Sequence, residues 1–209
     1  MRNKEENMKT KKFTTSQLTI LGLMAGILFL MAYTPLGYLN IGPLAVTFNV
    51  IPVAVCAIVL GPTGGAIAGA VFGLTSFMQA IGIGGVSALG SALFQINPFM
   101  TAVQCFGPRI LDGICIGFIY RAVHKKANTY VSCAVTGFFS AFLNTLFFMT
   151  ALIVMFGNTE LIRNLMGGHN IIVGCCLMVG VNAISEMVSS TIITAAVGTA
   201  LSKAHLIPA

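Results

Sequence analysis

Runs of roughly 18 or more mostly apolar residues recur along this chain, and a run of that length and character argues for a membrane-spanning helix. They lie at about 17–36, 44–60, 64–82, 101–121, 130–156 and 171–201; the second is short and the fourth is interrupted by Gly107-Pro108. Charged residues make up 8% of the 209, against about 25% in soluble domains. An outer-membrane barrel would need segments of about ten residues alternating apolar and polar, whereas these runs are continuous. The predicted fold is all-α: a polytopic membrane protein with six transmembrane helices in one bundle. One membrane domain covers 17–201, between a basic tail at 1–16 and a short tail at 202–209.

Charge sets the expected orientation. Arg2, Lys4, Lys9, Lys11 and Lys12 precede the first run, Arg121, Lys125 and Lys126 lie between the fourth and fifth, and Lys203 follows the sixth. With six spans all of these fall on one side, leaving Arg163 opposite and Arg109 inside a span. The positive-inside rule then puts both termini in the cytoplasm of a multi-pass protein of the cell membrane. The apolar stretch after the basic tail is long and ends without a small-residue cleavage pattern, so the tail reads as retained. The net charge of +6 is a topology signal and not a nucleic-acid footprint, which would need a basic patch on a folded face.

Catalytic and metal chemistry find no support. Cys56, Cys105, Cys115, Cys133, Cys175 and Cys176 are scattered through apolar segments without a CxxC, and His124, His169 and His205 are far apart, so no metal or cofactor is expected. Metalloprotease, nucleophile-elbow and Walker motifs are absent, so no enzyme is expected. Without a Walker loop the chain transports passively, uses an ion gradient, or borrows energy from a partner.

Small and polar residues inside the runs carry the remaining information. Gly65, Gly69 and Gly73 form a ridge at every fourth residue, which lets two helix backbones approach closely in lipid. Gly22 and Gly26, with Ala25 between them, make a similar stripe on the first helix that suits either packing or a partner protein. Asn49, Asn144, Asn182 and Glu186 lie within spans, the last two on one helix face. Polar burial in lipid is costly and has a reason, either an interhelical clamp or a ligand site. Arg109 and Asp112 stand in the apolar run CFGPRILDGICIGFIYR. Pro108 suits a helix first turn, so the fourth helix is expected to start there, with 84–106 as a glycine-rich outer loop. Arg109 would then pair with Asp112 as an internal strut, or grip a carboxylate or phosphate with Asp112 orienting it.

The run YTPLGYLNIGPLAVTFNVIPVAVCAIVLGPTGGAIAGAVFGLTS (33–76), PRILDGICIGFIYR (108–121), FLNTLFF around Asn144 and NAISEMV with Asn182 and Glu186 resemble the substrate-binding S components of energy-coupling factor (ECF) vitamin transporters. The resemblance covers most of residues 15–200. It implies six helices with both ends cytoplasmic, and a vitamin bound near the outer face under the loops joining helices one to two and three to four. It also implies a transmembrane scaffold subunit with two ATPase subunits as partners, and toppling in the bilayer to release substrate. The family's first helix meets the scaffold through small residues, typically alanines four apart; Gly22, Ala25 and Gly26 stand in a comparable pattern here. The nearest branches are those for pantothenate and riboflavin, which share TPLG…GP and PRI. Pantothenate, favoured here, offers a carboxylate to Arg109. Riboflavin would want aromatic walls, which Phe48, Phe77, Phe94 and Phe99 are placed to supply. The competing classes are an autonomous ion-coupled carrier using Glu186 and Asp112, and a ligand-free membrane scaffold.

Overall fold

The computed structural model describes residues 14–34, 37–40, 45–85, 87–165 and 171–207; the basic tail before Thr14 lies outside the described residues. In chain order the elements are α1 (Thr15–Ala32), β1 (Tyr38–Asn40), β2 (Ala45–Thr47), α2 (Val50–Ala80), α3 (Ala88–Ile96), α4 (Pro98–His124), α5 (Thr129–Phe156), α6 (Glu160–Leu165) and α7 (Ile171–Lys203). The two strands pair antiparallel with Tyr38 opposite Thr47. Segments of α1, α2, α4, α5 and α7 are long and apolar enough to cross a membrane. The chain is an all-α polytopic membrane protein.

Local chemistry sets the helix starts. The Thr14 hydroxyl accepts from Gln17 N at 3.3 Å while Gln17 Oε1 accepts from Thr14 N at 3.0 Å, a reciprocal cap that opens α1. Asn97 Oδ1 accepts from Met100 N at 3.1 Å to open α4, and Asn128 Oδ1 from Val131 N at 2.9 Å to open α5.

The third apolar run and residues 50–60 of the second become two arms of α2, while the start of the second run forms β2 instead. Gly61 has φ 72° and ψ −163° and is followed by Pro62; an L side chain is strained at that positive φ, and the helix breaks there. A Cβ placed on Gly65 would stand 3.0 Å from Ala57 Cβ. In a straight helix those residues would be about 12 Å apart along the axis. The arms 50–60 and 62–80 therefore fold back on one another. Val50, Val53, Ala54 and Ala57 of the first arm share a core with Ala68 and Phe72 of the second, closed by Leu28, Ile116 and Ala141.

The glycine ridge packs inside the bundle. Side chains on Gly65, Gly69 and Gly73 would run into the carbonyls of Gly113, Arg109 and Cys105 in turn. The second arm of α2 thus lies backbone to backbone on α4, as small residues permit in lipid. Leucine, phenylalanine and valine point outward on the long helices, as at Leu23, Phe118 and Val154.

The region 84–106 departs from expectation. It contains α3, with the Ser87 hydroxyl accepting from Gly90 N at 3.1 Å, and α4 begins at Pro98, so Pro108 and Arg109 lie within a 27-residue helix. Asn97-Pro98 supplies both a cap and an N1 proline, and so sets the start of α4 ten residues before Pro108.

The elements sort by end. Arg121, near the end of α4, packs on the Gly61 turn, and Ile58, Tyr120, Cys133 and Ile207 cluster beside it. Leu93 of α3, Phe156 of α5 and Ile162 of α6 close the opposite end.

Candidate functional site

Toward the α3–α6 end the helices enclose a cavity of about 160 Å³. Its lining comes from late α2 (Phe72, Ser76, Gln79), early α4 (Thr101, Gln104, Arg109), α5 (Asn144, Thr145, Phe148) and α7 (Val179, Asn182, Glu186), together with Thr47, Leu89 and Leu93.

Arg109 is the cation of this cavity's lining. Its Nη1 donates to the Gln104 carbonyl at 2.7 Å. Its Cζ lies 4.7 Å from the Phe148 ring centroid and 5.4 Å from that of Phe72, an arrangement that stabilises a guanidinium. Gln104 is itself pinned, Nε2 donating to the Phe148 carbonyl at 2.9 Å. Glu186 is held from another side: its Oε1 accepts from Thr47 N at 2.6 Å, tying the strand hairpin to α7. Gln79 Nε2 donates to the Ala32 carbonyl at 2.6 Å and joins the ends of α1 and α2.

Four of the residues singled out in the sequence thus meet on one cavity: Arg109, Asn144, Asn182 and Glu186. Asn49 and Asp112 are buried, 0% and 2% exposed, but are not among the described lining residues. Asp112 sits against Ser140 of α5, whose hydroxyl donates to the Val50 carbonyl at 3.3 Å. Phe48 lines a separate apolar groove with Met24, Ile51 and Ile193. Phe77 and Phe94 pack edge-on with centroids 6.0 Å apart, and Phe99 is 77% exposed. Gly22 and Gly26 lie on an open side of α1, with space around both, and Ala25 is half-buried between them.

Phe72, Phe148, Gln79 and Gln104 were not singled out. The two glutamines carry the same signal that marked the asparagines, a polar side chain inside an apolar run. Among the described residues no group of three His, Cys, Asp or Glu could hold a metal ion.

The family model of the ECF transporter substrate-specific component matches residues 16–198. The chain belongs to this family. As an S component it is similar, at 33% identity over 204 residues, to a protein of Leuconostoc mesenteroides subsp. mesenteroides named pantothenate transporter PanT, covering 93% of this chain and 94% of that one. It is also 28% identical over 208 residues to a protein of Lactococcus lactis subsp. cremoris named pantothenic acid transporter PanT, covering 93% and 98%. The S component's cavity, Arg109 and amide pair all fall within the family match.

Proposed function

We propose that this S component binds pantothenate in the cavity and delivers it into the cell as part of an ATP-driven ECF transporter. The observation that carries the reading is Arg109, a guanidinium steadied by Gln104 and two rings in a cavity also lined by Asn144 and Asn182. Pantothenate presents a carboxylate, an amide, two hydroxyls and a geminal dimethyl group. A guanidinium grips a carboxylate with charge-assisted, paired hydrogen bonds. Asn144, Asn182 and Thr145 match the amide and hydroxyls, and Leu89, Leu93 and Val179 match the methyls. The names of the two relatives support the same substrate.

In this reading Asn49 and Asp112, which are not among the described lining residues, stand outside the substrate's direct contacts. A membrane scaffold subunit docks on the Gly22, Ala25 and Gly26 side of α1, and two ATPase subunits supply the energy. The end carrying Arg121, Lys125, Lys126 and Lys203 faces the cytoplasm of the plasma membrane, with both termini inside and the cavity toward the outside. Riboflavin is the weaker candidate: none of Phe48, Phe77, Phe94 and Phe99 is among the described lining residues, and the two rings that are, Phe72 and Phe148, flank Arg109.

The test is a calorimetric titration of the purified chain in detergent with pantothenate, riboflavin and pyridoxine. Saturable binding of pantothenate, with the thermal stabilisation that a native-state ligand confers, is expected. Tight riboflavin binding with no response to pantothenate would reject the substrate.

A further inference from the structure

Arg109 is held by an acceptor that a regular helix would not offer. In α4 the carbonyl of residue 104 should accept from the N–H of residue 108, four positions on. Residue 108 is proline, buried within the helix, and has no N–H to give. Within a membrane-spanning helix a freed carbonyl must find another donor, from a neighbouring side chain, another helix or an ordered water. Here the donor is Arg109 Nη1, at 2.7 Å from the Gln104 oxygen.

We propose that Pro108 is a positioning residue for substrate: by leaving the Gln104 carbonyl open, it docks the Arg109 guanidinium in the cavity and so sets affinity for the substrate's carboxylate. Two further contacts make this acceptor a firm one. Gln104 is 1% exposed, and its side chain bonds the Phe148 carbonyl at 2.9 Å. The Phe148 ring in turn lies 4.7 Å from Arg109 Cζ. The residue that anchors the guanidinium and the ring that flanks it are thereby tied to each other across α4 and α5. Pro108 acts from behind: it is not among the described residues that line the cavity.

The inference rests on the reading that Arg109 binds the carboxylate of pantothenate. Two substitutions restore the N–H: Pro108→Ala, and Pro108→Val, which keeps about the volume of the ring. Each is titrated by calorimetry with pantothenate and with pantothenol, the neutral analogue carrying a hydroxymethyl group in place of the carboxylate. Wild type and Arg109→Ala are run beside them. Pro108→Ala and Pro108→Val are expected to weaken pantothenate binding about tenfold or more, the net worth of one hydrogen bond to a charged group. Pantothenol binding stays unchanged and the melting temperature of the unliganded variants does not fall, because the helix regains a backbone bond. A purely structural role would move both ligands together, and that result overturns the proposal. So does wild-type pantothenate affinity in both Pro108 variants while Arg109→Ala loses it. If wild type ignores pantothenate, or Arg109→Ala binds it normally, the functional reading fails first and takes the inference with it.

Discussion

The Thr47 N–H donates to Glu186 Oε1 across 2.6 Å, fastening the end of the β1–β2 hairpin to the middle of α7 in the lining of the cavity. Glu186 lies four residues beyond Asn182 on the same helix face. A carboxylate committed to a backbone N–H serves first to hold the hairpin, and its contact with ligand comes second. The predicted outcome follows from what each substitution preserves. Glu186→Gln keeps an oxygen for Thr47 N, so pantothenate dissociation stays close to wild type. Glu186→Ala removes it, and affinity falls by about tenfold, the worth of a hydrogen bond to a charged group. Stopped-flow dissociation rates check the pair; equal losses in both variants would mean that the charge, not the bond, matters.

Gly69 and Gly61 predict a stability effect. A side chain on Gly69 meets the Arg109 carbonyl, and one on Gly61 meets the Arg121 guanidinium at a backbone φ of 72°. Gly69→Leu forces α4 away from α2 and is expected to cost about 1–3 kcal/mol, as overpacking does. Gly61→Ala adds about 1–3 kcal/mol of backbone strain to its own collision, because its φ and ψ lie in a region essentially reserved for glycine. Thermal unfolding in detergent reads both, and melting temperatures at the wild-type value would contradict the packing described.

Gly22 and Gly26 predict the opposite. Nothing lies within 4 Å of a Cβ at either position, so Gly22→Leu and Gly26→Leu leave stability and pantothenate affinity unchanged. They instead weaken assembly with the scaffold subunit. Co-purification with the ECF scaffold and ATPase subunits, followed by ATP-dependent uptake in proteoliposomes, is the check. Normal assembly in both variants would remove α1 as the docking face.

The helices that lipid dictates were legible in the sequence, because a bilayer demands long apolar runs and little else. The runs at 130–156 and 171–201 coincide with α5 and α7 to within two residues. The start of α4 was not, because Gly107-Pro108 reads as a break wherever a proline must waste a carbonyl. The break does not form because the Arg109 side chain takes that carbonyl, a compensation visible only in three dimensions. The cavity's asparagines stood out as polar groups in apolar runs. Phe72 and Phe148 did not: with 15 phenylalanines in the chain, no local pattern separates those facing a cavity from those facing lipid. That Asn49 and Asp112 are buried yet not among the described lining residues likewise depends on how α2, α4 and α5 cross, which periodicity within one helix does not encode.

The assignment of Arg109 to the substrate carboxylate stands or falls on one titration. Calorimetry of the purified chain with pantothenate should give saturable binding that Arg109→Ala weakens by about a hundredfold or more, as loss of a buried charged partner does. Pantothenol affinity should be nearly the same in both proteins. Undiminished pantothenate binding by a folded Arg109→Ala variant would contradict it.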